Sequence, residues 1–371
     1  MPAAAAIKVL HLINGEFYAG AERVQDLLGL QLASRGFAVS FACLKDGTFA
    51  DRRRAQQAPL YPMPMRSRFD FALCLRLAKL ARAESFRLLH THTPRSALIG
   101  RVVSTLTGLP MIHHVHSPAE LDTEQGWRNV RNGLVEKFSL RGASRLIVVS
   151  SSLEERLRER GFPAARICQI PNGVPVTERA RRSYQPAQEL TIGMIALYRP
   201  RKGVEVLLEA MKRLRDTGVQ VRLHAIGPFE TPEYQRAVLE LARRLGLEQV
   251  ITWVGFTSEI SDEFKRMQLF VLPSLYGEGM PMVVLEAMAA GLPIVSTRVE
   301  GIPQVVRHGV DGLLAAPGDA ADIASAINQF VRGDVSSELM GDSGWHRQRE
   351  NFSDVSMAAR VAAVYEQVLR V

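Results

Sequence analysis

Residues 269–297, LFVLPSLYGEGMPMVVLEAMAAGLPIVST, read as strand, loop, helix, turn and strand in one short span. Leu269–Leu272 is an unbroken apolar run ending at Pro273, the pattern of a parallel strand covered on both faces. Pro281 suits the first turn of a helix, where no backbone N–H is needed. Gly291 suits the left-handed stop of that helix, and Pro293 keeps it from resuming. Between strand and helix lies Tyr276-Gly277-Glu278-Gly279-Met280. Two glycines around an acid let backbone approach a ligand while a carboxylate projects towards it. The helix start over Gly279, Met280, Pro281, Met282 and Val283 offers free N–H groups and a positive dipole end to an anion.

Glu278 sits in the loop and Glu286 in the second helical turn, with seven residues between them. Carboxylates accept hydrogen bonds from paired hydroxyls, so they suit sugars and riboses. An acid beside a phosphate-seeking helix start, with another above it, describes a nucleotide-sugar site. An E-x7-E pair by itself also suits a surface loop in which Glu286 complements the helix dipole. The longer string E-G-M-P-x4-E-A-M-A-x-G-x-P-I-V is far more specific. It closely resembles the signature of family 4 glycosyltransferases, which have the two-domain GT-B fold.

The chain has 371 residues, 47% of them hydrophobic, enough for two domains with substantial cores. No apolar run is long enough to span a membrane, and MPAAAAIKVLHLI reads as the approach to a strand without a signal peptide. Cys43, Cys74 and Cys168 are odd in number and too widely spaced for a metal motif, as expected of buried thiols in a reducing compartment. Localisation is accordingly expected to be cytoplasmic. The net charge of +8 is one-sided: residues 1–185 hold 27 Lys/Arg against 15 Asp/Glu, the remainder 19 against 23. Arg52-Arg53-Arg54, Arg66, Arg68 and the Arg128/Arg131 pair carry much of it. No aromatic-interleaved basic stripe or reading helix points to nucleic acid. An anionic membrane surface, with peripheral association through the first domain, is the better partner; a high-Arg surface without a partner is the alternative.

In the first half, apolar strand runs alternate with helical segments: Ile7–Leu12, Ala38–Cys43, Leu88–His92, Met111–His116, Arg145–Val149 and Ile167–Ile170. This alternation predicts a parallel α/β sheet. Arg52–Pro64 reads as irregular, Ser117–Trp127 as an ordered loop and Val130–Leu140 as a helix. After the first strand, A-G-A-E-R-V resembles the G-G-A-E-R-V of the same family, and Gly20 is the position for close ligand approach. His90/His92 and His114/His116 are two same-face pairs at strand ends, where ligands bind in such sheets. No acid sits beside either pair, so no metal is expected, and a zinc hydrolase is kept as an alternative class. In the family a single His ending the fifth strand lies against the donor sugar. His116, before Ser117-Pro118, matches it best, and His113 is expected to face the core.

The second half repeats the α/β pattern from Thr191. A basic loop, Leu197-Tyr198-Arg199-Pro200-Arg201-Lys202-Gly203, follows its first strand and opens a helix, which makes a diphosphate clamp. The family shows G-R-L-x-x-x-K-G there. Lys202 and Gly203 match, but Leu197 occupies the usual Arg position, so Arg199 is expected to substitute, with Arg201 next. The resemblance covers nearly the whole chain and implies two Rossmann-like parallel-sheet domains facing a central cleft. The expected division is 1–175, a linker over 176–189, a donor-binding domain over 190–350, and a terminal helix over 351–371 crossing back to the first domain.

The resemblance further implies a retaining, metal-independent hexosyltransferase with no cofactor. Its co-substrate is a UDP or GDP type nucleotide sugar and its acceptor a glycan, lipid-linked or small molecule in cell-surface polysaccharide or glycoconjugate synthesis. Arg199 and Lys202 would neutralise the diphosphate, Glu278 would meet the sugar hydroxyls, Glu286 the ribose and His116 the anomeric end. A nucleotide-sugar epimerase of the same fold is the nearest alternative, and a non-catalytic nucleotide-binding protein a third reading.

Overall fold

A computed structural model describes residues 6–67, 70–117, 137–178, 189–257 and 259–370. Arg68, Arg128, Arg131, the loop beyond Ser117, the start of the helix expected from Val130 and most of the linker expected over 176–189 lie outside the described residues. The chain forms two compact units, Met1–Gly173 with Ser353–Val371, and Val174–Phe352.

The first unit is built on a seven-stranded sheet: β1 (Ile7–Ile13), β2 (Phe37–Cys43), β3 (Leu60–Pro62), β4 (Leu88–Thr91), β5 (Met111–Val115), β6 (Arg145–Val148) and β7 (Ile167–Gln169). Their order is β3-β2-β1-β4-β5-β6-β7, and every pairing is parallel. Parallel pairing needs a crossover after each strand, and helices on both faces supply it. That is why Val9, Leu10, Leu12 and Ile13 are all wholly buried: both faces of β1 are covered.

Helix Pro94–Thr107 shows how local sequence fixes such a crossover. Thr93 and Ser96 form a reciprocal capping box, Pro94 takes the first turn, and Gly108 ends the helix in the left-handed region at φ 76°. At Gly100 the helix lies so close to the sheet that a Cβ would stand 2.6 Å from Thr91 Cγ2. The segment 353–371 also belongs to this unit. Its helix Asp354–Leu369 buries Met357, Ala358, Val361 and Tyr365, and Gln31 donates to Asp354 at 2.8 Å. The edge strand β3 lies within the segment expected to be irregular. Three residues, none of them buried, are too few to show a period.

The second unit carries β8 (Leu190–Ile195), β9 (Val221–Ile226), β10 (Ile251–Gly255), β11 (Leu269–Leu272), β12 (Ile294–Thr297) and β13 (Gly312–Ala315). The order is β10-β9-β8-β11-β12-β13, again all parallel. Pro281 stands one residue outside its helix, as the N-cap of Met282–Ala289, rather than in the first turn. Gly291 is left-handed at φ 71°. Helix Ser337–Asn351 is absent from the sequence reading because it has no apolar stripe. It packs through Gly341 and Gly344 instead, and a Cβ on Gly341 would lie 2.3 Å from Gly291 O.

The strand order reverses beside β1 in one sheet and beside β8 in the other. Crevices at such reversal points, outside the strands' C-terminal ends, are where open α/β sheets bind ligands. The loops after β8 and β11 therefore mark the place to look in the second unit, and the ends of β1 and β4 in the first.

Candidate donor site and imidazole row

Two loops meet at the β8/β11 reversal. The loop after β8 makes a single 3-10 turn over Pro200–Lys202 and ends at Gly203 in the left-handed region, φ 67°. Only glycine fits there, because a Cβ would lie 2.2 Å from Pro273 O in the loop after β11. Leu275 N–H donates to Arg201 O at 2.8 Å, tying the two loops together. Gly277 is also left-handed at φ 81°, and Arg201 Nη1 donates to its carbonyl at 3.2 Å.

These turns bring Lys202, Arg201 and Glu278 together. Lys202 Nζ donates to Glu278 Oε1 and pairs with it; Arg201 Nη1 stands 3.5 Å from the same oxygen, and Ser274 Oγ donates to it at 2.6 Å. Glu278 is buried, and burial by itself would raise its carboxyl; Lys202 and Arg201 outweigh that and hold it below the usual range. Burial lowers the Lys202 ammonium, and Glu278 offsets part of the effect. The backbone continues the organisation: Glu278 N–H donates to Glu300 Oε2 at 3.1 Å, and Gly301 N–H to Glu278 O at 2.9 Å. Glu300 holds φ 30°, uncommon for a residue with a side chain, at the point where it receives that bond.

Arg199 is placed differently. As the residue before the 3-10 turn it is extended, and its Nε lies 3.5 Å from Glu230 Oε1, while Arg201 inside the turn faces Glu278. Ser274, Arg201 and Glu300 thus join the charged cluster beside the expected Lys202 and Glu278. A charge run in sequence gives no indication which of two arginines a tight turn will point inward. Gly279, Met280, Pro281 and Met282 are buried, Val283 is half-buried, and Glu286 stands half-buried in the second turn.

In the first unit, Gly20 begins helix Gly20–Gln31, and a Cβ there would meet nothing within 4 Å. Among the described residues, nothing around that position requires glycine. Gly15, at φ 84° in the same loop, does carry a backbone requirement.

The register places His11 opposite His90 across β1 and β4, and Thr91 opposite His113 across β4 and β5. Alternation along the strands then puts His11, His90, His92, His114 and His116 in one row on one sheet face. His113 lies on the other face, with its Nδ1 2.8 Å from Thr91 Oγ1. His11 meets His90 edge to face with centroids 4.7 Å apart, His90 and His92 are tilted at 4.2 Å, and His114 and His116 stack at 4.4 Å. Tyr365 hydroxyl serves His11 Nε2 at 3.0 Å and His90 Nδ1 at 2.6 Å, and His92 Nδ1 lies 3.0 Å from His116 Nε2.

Burial lowers every imidazole of the row, His11 to about 3 and His116 to about 4, where Asn172 partly offsets the effect. His90, His92 and His114 fall well below the ordinary value for the same reason, deepened by their histidine neighbours. All are neutral imidazoles at neutral pH. Among the described residues, His92 Nε2, His90 Nε2 and both nitrogens of His114 are buried with no hydrogen-bond partner. Each such group costs about 1–3 kcal/mol if it stays unpaired. Among the described residues, two groups have ligand atoms within 4.8 Å of one another, His11/His90/His92 and His92/His114/His116.

Residues 18–178 match the family described as Glycosyltransferase Family 4, and residues 189–332 that described as Glycosyl transferases group 1. Between them the two matches take in more than four-fifths of the chain. A relative from Escherichia coli, named as a UDP-Gal:alpha-D-GlcNAc-diphosphoundecaprenol alpha-1,3-galactosyltransferase, is 25% identical over 88% of this chain and 87% of its own. WcaL of Salmonella typhimurium, named for colanic acid biosynthesis, is 33% identical over 50% of this chain. The chain spans 47% of that relative and 22% of an exopolysaccharide phosphotransferase from Streptomyces coelicolor, at most about half the length of these two relatives. Among solved structures, Anabaena HepE with UDP-glucose superposes with a TM-score of 0.85 at 21% identity, covering 97% of this chain and all of that one. A sucrose-phosphate synthase from Thermosynechococcus elongatus does so at 0.79 and 22% identity, covering 98% and 99%.

Proposed function

The chain belongs to the GT-B glycosyltransferases of family 4 type, and on that premise we propose that it moves a sugar from a nucleotide-diphosphate sugar to a glycan or lipid-linked acceptor in cell-surface polysaccharide synthesis, with retention of configuration. The observation that carries the reading is the cluster of Lys202 and Arg201 on buried Glu278 at the head of helix Met282–Ala289. Two cations and a helix start form a seat for two phosphates, and a neighbouring carboxylate reads hydroxyls.

Without a donor, Glu278 neutralises the cations. With a donor bound, the diphosphate takes over that partner role and Glu278 turns to the hydroxyls of the sugar. As the bond to the anomeric carbon breaks, negative charge grows on the leaving phosphate, and fixed cations stabilise that charge more than the ground state. Arg201 is the nearer arginine for this task, and Arg199 a second cation on the same loop. Glu286 meets the ribose, and His116 meets the transferred sugar. The protein's own cations serve where other transferases use a divalent ion at the diphosphate. A UDP sugar is the first donor to test, because relatives named for UDP-linked sugars appear in both comparisons.

The basic first unit suits an acceptor held at an anionic membrane surface. Among the described residues no helix is long and apolar enough to cross a membrane. Helix Phe71–Ala83 instead leaves Phe71 and Leu75 exposed on the side that carries Arg76, Lys79 and Arg82.

The test is nucleoside diphosphate release from UDP- and GDP-sugars with a membrane extract as acceptor source. Lys202→Ala should lower kcat/KM about 100- to 1000-fold, the scale of removing one charge-stabilising donor. Glu278→Gln should lose sugar selectivity while still binding free UDP. Donor conversion at an unchanged rate without any acceptor would favour an epimerase and overturn the transfer reading.

A further inference from the structure

Among the described residues, three that are not glycine hold a positive φ: Ser85, Glu300 and Arg370. Ser85 and Arg370 follow helices Phe71–Ala83 and Asp354–Leu369, where a left-handed residue is the ordinary stop. Glu300, at φ 30°, closes no helix. It stands in the turn after β12, just ahead of the short helix Ile302–Val305. A strained residue persists where its surroundings over-determine it, and what Glu300 bonds is the donor loop. We infer that Glu300 is a positioning residue for Glu278: its carboxylate fixes the peptide plane from which Glu278 is presented to the donor sugar. The inference rests on the donor-site reading above and adds a residue to it.

The two loops are neighbours because their strands are. β11 and β12 pair from Phe270 with Ile294 to Leu272 with Ser296, so the loop after one runs beside the turn after the other. The peptide joining Gly277 to Glu278 is then gripped at both ends. Arg201 Nη1 donates to its carbonyl, Gly277 O, at 3.2 Å. Its N–H, that of Glu278, donates to Glu300 Oε2 at 3.1 Å. A cation at the oxygen and an anion at the N–H both favour one orientation of the peptide dipole, and both bonds are charge-assisted. The next peptide is held from the same turn, because Gly301 N–H donates to Glu278 O at 2.9 Å.

Gly277 explains why a grip is needed. At φ 81° and without a side chain, it leaves the plane that follows it free to turn. A turned plane would carry the Glu278 side chain away from Lys202, Arg201 and Ser274. Donor binding then makes Glu300 the more important of the two holds. A diphosphate draws the Arg201 guanidinium towards itself and loosens its bond to Gly277 O. Glu300 holds the other end of the same peptide, so Glu278 can exchange its cations for sugar hydroxyls while its backbone stays in place. A glycine at 300 would adopt this φ without strain but would bring no carboxylate.

The test compares Glu300→Gly, Glu300→Ala and Glu300→Gln in the full chain. Glycine and alanine both remove the carboxylate, but only glycine relieves the backbone, so Glu300→Gly should melt above Glu300→Ala. With a UDP sugar, Glu300→Gly should lower kcat about 10- to 100-fold, the scale of misplacing a reacting group, while KM for the donor and affinity for free UDP are kept. Glutamine retains a carbonyl acceptor, so Glu300→Gln should recover most of that loss. Hydrogen exchange at the Glu278 amide, which needs no turnover, should quicken in Glu300→Gly and Glu300→Ala and stay slow in Glu300→Gln. Undiminished kcat in Glu300→Gly, an equal loss in Glu300→Gln, or unchanged exchange would each overturn the positioning role. A wild type that protects the Glu278 amide yet releases no nucleoside diphosphate from UDP or GDP sugars would instead overturn the donor reading beneath it.

Discussion

Glu22 shows what one buried charge does at this scale. It lies in the first turn of helix Gly20–Gln31, and burial raises its carboxyl above the ordinary value, partly offset by nearby backbone N–H groups. A carboxyl raised in the fold binds its proton more readily there than in the unfolded chain. Above both pKa values the fold therefore carries a penalty, which disappears as pH falls below the unfolded value. Glu22→Gln should melt at higher temperature than the wild type at pH 7, with the difference closing by about pH 4; calorimetry at the two pH values checks this. Lys202 and Glu278 were legible as neighbours of glycines: Gly203 is left-handed where a Cβ would strike Pro273 O, and Gly277 is left-handed just before Glu278. Arg201 versus Arg199 was not legible, since the choice depends on one residue of 3-10 turn. Nor did sequence show that His11 joins the imidazole row. That follows only from the β1–β4 register.

At the scale of elements, the two sheets were readable because a parallel strand buried on both faces leaves an uninterrupted apolar run. What escaped were the elements without such a run. β3 is short and unburied, and helix Ser337–Asn351 packs by its glycines. Helix Phe71–Ala83 bears on membrane binding. Its inner face buries Leu73, Cys74, Leu77 and Ala78, while Phe71 and Leu75 are more than half exposed. Replacing both exposed residues by Asp should cut co-sedimentation with phosphatidylserine vesicles at least 10-fold, because it removes apolar insertion and adds repulsion. Turnover of a soluble acceptor analogue should be unaffected. Equal sedimentation of variant and wild type would remove this helix as the contact.

At the scale of the whole molecule, the first unit is made from two separated pieces of chain and the second from one continuous piece. The later piece is no ornament. Tyr365 is wholly buried, bonded to His11 and His90, and in edge contact with Phe37 at 5.2 Å. Deleting 353–371 removes several fully buried side chains, each worth about 2–5 kcal/mol, and so exceeds the stability of a typical domain. The truncated chain should lose hydrogen-exchange protection through β1, β2 and β4 and retain it through β8 and β11. Protection surviving in both sheets would show that the first unit stands without its last helix.

The same seam has a consequence for biogenesis. At Gly173 the backbone runs so close to Ser353 that a Cβ would lie 2.3 Å from its carbonyl oxygen, and Val174 N–H donates to Phe352 O at 2.9 Å. A ribosome makes the two halves of this junction nearly two hundred codons apart. The nascent N-terminal lobe must therefore wait, unsealed and with part of its apolar surface bare, while an entire second lobe is synthesised and folds. Its dependence on chaperones should be concentrated in that interval.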